Sequence, residues 1–191
     1  MKYFLLVIVL LLLSFVGQEF VPAVEWAYFA RLLLVQTTFF CVAITVPYPV
    51  MLILAAATGF LWDARYHIPV FPEGSQHAEL EFGFTIFLYG LMGSIIQGVR
   101  PLFRRGRWEM PVFLIGICTF LCLVIQYLVL SFHRGELYLS TQMWFQMLMT
   151  SLFSMAAAPL ILLLLSKMAK WTGYRIRLEG IAPKLRYGNS I

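Results

Sequence analysis

Charge is what this sequence has least of. Only 12% of its 191 residues are Asp, Glu, Lys or Arg, against roughly 25% in a soluble globular domain. With 61% hydrophobic residues and a mean hydropathy of +0.85, a water-soluble fold of this length is excluded, and lipid is the expected solvent for most of the chain. No polar stretch is long enough for a second domain. Histidine is scarce: His67, His77 and His133 lie far apart, without the short ligand spacing of a metal site. The cysteines, Cys41, Cys118 and Cys122, all fall in apolar runs and read as small buried hydrophobes. No P-loop, nucleophile elbow, H-E-x-x-H or dinucleotide fingerprint occurs. No acid pair or histidine sits inside an apolar run. The expectation is a protein that is not an enzyme and uses no cofactor or metal.

What the chain does have is a succession of apolar runs. A helix crossing about 30 Å of hydrocarbon needs roughly 20 such residues. The first run, residues 3–18 behind Lys2, has the outline of a secretory signal. Phe15 spoils the small-residue pairing with Gly17 that cleavage requires, so a retained first helix is expected. Residues 32–62 then run for 31 positions without a charge, too long for one crossing. Pro47 and Pro49 divide them, because proline lacks an N–H and disfavours helix in the residue before it. Helix two is expected near 26–46, a turn at 45–48, and helix three at 49–62. A polar loop follows to residue 81. Helix four is expected at 82–99, helix five at 110–132 and helix six within 137–166. The fold class is therefore all-α: a polytopic membrane domain of six transmembrane helices over residues 1–170, with a basic cytoplasmic tail at 171–191.

Basic residues give the orientation. Alternating crossings put Lys2, Arg100, Arg104, Arg105, Arg107, Lys167, Lys170 and the arginines and lysines of the tail on one side. Only Arg31, Arg65 and Arg134 fall on the other, with most of the acids. Basic loops stay cytoplasmic, so both termini are expected inside. The net charge of +5 is spread in short patches between apolar runs. That points to anionic membrane lipids and not to nucleic acid.

A few residues stand out. Asp63 ends an apolar run too short to cross the hydrocarbon, so it is expected near membrane depth, where a charge faces a partner or a cavity. Arg31 is the expected partner, with Gln36 as a third group of an outward-opening polar pocket; the competing reading ends the helix at Asp63 and pairs it with Arg65. Ala55, Ala56, Ala57 and Gly59 give helix three a narrow waist, Gly90 and Gly93 do so on helix four, and Ala156, Ala157 and Ala158 on helix six. Small residues let backbones approach closely in lipid, either within the bundle or around a partner's helix. Pro159 interrupts helix six, and Met143, Met147, Met149 and Met155 before it read as an adaptable packing surface.

In this order and spacing the chain resembles the MreD family of bacterial rod-shape proteins. The resemblance rests on a short first helix followed by a weakly polar turn, and on the small-residue helix three that ends in Gly59-x-x-x-Asp63. It rests also on Gly83 opening helix four ahead of Arg104 and Arg105, and on Pro159 in a last helix followed by Lys167 and Lys170. It covers residues 3–170. The connection at 67–81 is longer and more acidic than the family's, and the tail after Trp171 is longer. The resemblance implies a non-catalytic inner-membrane component of the elongation complex, acting with MreC beside MreB, RodA and penicillin-binding protein 2 in side-wall peptidoglycan synthesis. It implies a fold similar to the six-helix substrate-binding component of energy-coupling-factor transporters. That similarity supplies the alternative, capture of a vitamin or other small molecule, which needs several convergent polar side chains.

Overall fold

A computed structural model describes residues 2–66, 83–100, 109–134 and 140–174. They form six helices: α1 (Lys2–Phe20), α2 (Leu34–Thr45), α3 (Tyr48–Tyr66), α4 (Phe84–Val99), α5 (Glu109–Arg134) and α6 (Thr141–Trp171). Among the described residues there is no strand, only an isolated bridge between Val24 and Ala30. Three helices, α1, α5 and α6, are long and apolar enough to cross a membrane. Their outer faces carry Leu5, Leu13 and Val16, then Phe113 and Ile117, then Leu160 and Leu163, all exposed. An apolar face turned outward is what a lipid-solvated helix presents.

The centre of the bundle is α2. Its 12 residues make a rod of about 18 Å, well short of the roughly 30 Å hydrocarbon core. Each residue from Val35 to Thr45 is buried, and all five other helices pack on it. Phe39 stacks on Tyr89 of α4 with ring centroids 5.1 Å apart, and Phe40 meets the same ring edge-on. A helix that ends inside protein leaves backbone donors and acceptors that water cannot reach. Here side chains from other helices reach them. Gln18 of α1 accepts from the Leu34 and Val35 N–H groups and donates to Leu32 O at 3.0 Å. At the other end Gln97 of α4 donates to Ala43 O and Val46 O, and Arg100 donates to Val46 O at 3.1 Å.

These ties define two poles. Tyr3, Val46, Arg100 and Tyr174 meet at one; Gln18, Leu34, Asp63 and Gly83 lie at the other. Helix direction therefore alternates from α1 to α4. The long α5 and α6 pair antiparallel, with Ser151 Oγ donating to Gly116 O at 2.8 Å and Phe120 against Trp144.

Helix two was expected from 26 and starts only at Leu34. Residues 21–33 instead form a short 3-10 turn, Glu25–Ala27, closed by Val24 N–H donating to Ala30 O at 2.9 Å. Tyr28 and Phe29 are left-handed, with φ of 55° and 59°, a conformation non-glycine residues adopt only when contacts hold them there. The contacts are with α6: Tyr28 stacks on Phe145, Trp26 meets Phe153 edge-on, and Gln146 donates to Phe29 O at 3.4 Å. Helix three also differs from its expected 49–62. It begins at Tyr48 and continues through Asp63 to Tyr66, with Pro49 in the first turn, where a missing N–H costs nothing. Helix six runs on through Pro159 to Trp171. The acidic loop at 67–81, the basic segment after Arg100 and the tail beyond Tyr174 lie outside the described residues.

Candidate functional site

The small-residue and acid pattern of α3 resolves into a seam with α4. The contacts run in antiparallel order. Near one end of the seam Tyr48 Oη and Ser94 Oγ are 3.4 Å apart. Next, a Cβ on Gly93 would run into the Met51 sulfur. Further along, a Cβ on Gly59 would fall 2.6 Å from Ile86 Cα and 2.7 Å from its N. At the far end Asp63 Oδ2 accepts the Gly83 N–H at 2.8 Å. Gly83 has φ +97°, a left-handed conformation open to glycine at no steric cost. It precedes the first helical residue of α4, so Asp63 caps α4 from a neighbouring helix, a charge-assisted bond at the positive end of a helix dipole.

Gly59 and Asp63 are four apart, one turn, and so share a face. The Gly59-x-x-x-Asp63 pattern is thus a clamp: the glycine lets α4 in, and the acid holds its first turn. Asp63 is 9% exposed, and its described partner is a backbone N–H. Arg31, the expected counter-charge, is exposed and pairs with no acid among the described residues. Arg65 does not pair with Asp63 either. It bridges to Glu19 of α1 at 3.1 Å, with both side chains about half exposed, a geometry worth little in stability. Gln36 is buried, with Nε2 unpartnered. Arg31 and Asp63 are therefore not joined into a polar pocket.

The remaining expected residues separate. Gly93 and Gly59 are consumed by the α3–α4 seam, whereas nothing lies within 4 Å of a Cβ placed on Gly90. Pro159 sits within α6 beside Ala158, whose carbonyl faces Cys41 Sγ of α2 at 3.8 Å. Sequence reasoning missed Gln18, Gln97 and Arg100. For the two glutamines a signal was available, an amide near the end of an apolar run; for Arg100, at the head of a basic segment, there was none. It also missed Gly116 and Ser151, which floor an exterior groove between α5 and α6. Phe113, Ile117, Phe120, Leu152 and Met155 flank that groove.

Among the described residues no three of His, Cys, Asp or Glu come together. Asp63 of the seam and Thr37 and Thr45 of α2 are tied to backbone groups. This arrangement fixes helices against one another, and no acid–base pair is formed in it among the described residues. No protein-family model matches the chain, and neither a curated protein nor a solved structure matches it.

Proposed function

We propose that this chain is a non-catalytic scaffold of the MreD type, crossing the bacterial inner membrane six times with both termini cytoplasmic. In this reading it acts with the single-pass protein MreC, and through it with MreB, RodA and penicillin-binding protein 2, in side-wall peptidoglycan synthesis. The observation that supports it best is the α3–α4 clamp. The residues carrying the family resemblance, Gly59, Asp63 and Gly83, work as helix packing and capping, as a scaffold requires. The transporter alternative needs free convergent polar groups. Asp63 is engaged with Gly83 N–H, Thr37 with Leu33 O and Gln97 with Ala43 and Val46. With the Gly59 and Gly93 waists closed, the faces left for a partner helix are Gly90 on α4 and the groove floored by Gly116 and Ser151.

Co-expression with MreC and detergent purification test the proposal, together with depletion in a rod-shaped host. Co-elution with MreC and rounding of depleted cells are expected. Clean recovery without MreC, with normal cell shape on depletion, would refute it.

A further inference from the structure

Arg100 is buried, at 4% exposure. Its Nη1 donates to Val46 O at 3.1 Å and to Gln97 Oε1 at 3.2 Å. Both partners are neutral, and no described acid pairs with the guanidinium. Its Nε is buried without a hydrogen-bond partner, and so is the Tyr3 hydroxyl. Thr45 is a polar neighbour of Tyr3 and donates to Val42 O at 2.9 Å, and its Oγ1 makes no hydrogen bond with the Tyr3 hydroxyl. Tyr3 and Tyr174 both lie close enough to Arg100 to interact with its charge. Their rings stack on each other, centroids 4.3 Å apart and planes 5° from parallel, with Phe4 edge-on to Tyr174. Lys2 adjoins Tyr3, Lys170 lies one turn before Tyr174, and both are exposed.

A buried guanidinium without a counter-charge is costly, and orphaned buried donors add to that cost. The orphans here are two donors, Nε–H and the phenol O–H, at the ends of apolar helices ringed by aromatic and basic side chains. Anionic lipid headgroups are bound in such settings. A phosphodiester has two non-bridging oxygens that share its one negative charge, enough to accept from an arginine N–H and a hydroxyl together.

We infer that the pole formed by Tyr3, Arg100 and Tyr174 binds the phosphate of an anionic phospholipid. The phosphate takes the Arg100 Nε–H and the Tyr3 O–H, with Lys2 and Lys170 adding positive charge around it. The half-buried Tyr174 ring moves off Tyr3 to admit it. This rests on the membrane reading but not on MreC or on cell shape.

The test is native mass spectrometry of the full chain in neutral detergent, titrated with phosphatidylglycerol, with phosphatidylcholine of the same acyl chains, and with sodium phosphate. Phosphatidylglycerol is expected to bind roughly tenfold more tightly than phosphatidylcholine: both carry the phosphodiester, but the choline cation offsets the attraction of Arg100, Lys2 and Lys170. Arg100→Gln should weaken phosphatidylglycerol binding roughly tenfold, and Tyr3→Phe, which keeps the ring stack, should weaken it about threefold. Equal binding of the two lipids by the unaltered chain would overturn the inference. So would an unchanged phosphatidylglycerol affinity in Tyr3→Phe, which decides the matter alone if Arg100→Gln does not fold. Full displacement of the lipid by millimolar phosphate would also overturn it, assigning the site to a free anion. No outcome here bears on co-purification with MreC.

Discussion

Gly59 and Gly90 belong to the same small-residue pattern in the sequence, yet the structure predicts opposite outcomes when each becomes alanine. At Gly59 the added methyl would sit 2.6 Å from Ile86 Cα and 2.7 Å from Ile86 N. Those atoms are backbone and cannot rotate aside, so α3 and α4 must separate by about 1 Å to restore ordinary contact. Overpacking of this kind costs about 1–3 kcal/mol, and separation also stretches the Asp63–Gly83 bond. The better helix propensity of alanine returns about 0.5–1 kcal/mol, leaving a net loss of about 1–2 kcal/mol. At Gly90 no atom lies within 4 Å of the new Cβ, so only the propensity gain remains. The three buried free thiols, Cys41, Cys118 and Cys122, supply the assay. A maleimide dye that fluoresces on reaction reports their exposure as detergent-solubilised protein is heated. At roughly 2–4 °C per kcal/mol for a chain of this size, Gly59→Ala should lower the apparent midpoint by about 2–8 °C, and Gly90→Ala should hold or slightly raise it. An unchanged midpoint for Gly59→Ala, or a larger drop for Gly90→Ala, would refute the α3–α4 contact geometry.

The capping of α2 makes a second prediction. Gln97→Met keeps side-chain length but removes the bonds to Ala43 O and Val46 O. Val46 O keeps its bond from Arg100, but Ala43 O is left alone at about 1–3 kcal/mol and Arg100 loses Gln97 Oε1, so the substitution should destabilise at least as much as Gly59→Ala in the same thiol assay; a midpoint within a degree of the unaltered chain would contradict it. Asp63 gives the third. Asp63→Asn retains an acceptor for Gly83 N–H and should cost about 0.5–1 kcal/mol through the lost charge at the α4 dipole, while Asp63→Ala should cost about 1–2 kcal/mol. Charge reversal at Arg31 should leave both values unchanged, and double-mutant coupling between Arg31 and Asp63 above about 0.5 kcal/mol would show the two to be linked after all.

Helix content and the main breaks were legible because hydropathy and proline chemistry act locally. The Pro47 turn, the start of α4 and most of α5 follow from residues beside them in the chain. The entry to α2 was not legible. Residues 26–33 are apolar apart from Arg31, as a helix entry would be, but Tyr28 and Phe29 are held left-handed by α6 residues more than a hundred positions away. The length of α3 was misjudged because Asp63 read as a stop. A carboxylate inside a helix is stable there when it caps a second helix, and the Gly83 N–H that it caps is 20 positions on in the chain. Arg100 was grouped with the basic segment that follows it. Nothing local distinguishes an arginine facing solvent from one turned back onto Val46.

The clamp also changes where function should be sought. If Gly59, Asp63 and Gly83 hold α3 to α4, substitutions there should impair a partner interaction only as far as they impair folding. A surface that recognises a partner should behave otherwise, losing binding while the thiols stay protected. Exposed residues with no packing role meet that condition, and so do groove walls whose loss leaves the bundle closed. Leu152 and Phe113 are exposed on the α5–α6 exterior, and a Cβ added to Gly90 has no neighbour within 4 Å. Leu152→Ala and Gly90→Leu should therefore leave the thermal midpoint within about 2 °C and, in the scaffold reading, reduce co-purification with MreC. If both leave co-purification intact while Gly59→Ala abolishes it at full thiol protection, the partner contacts the α3–α4 seam and the groove is only a lipid-facing furrow.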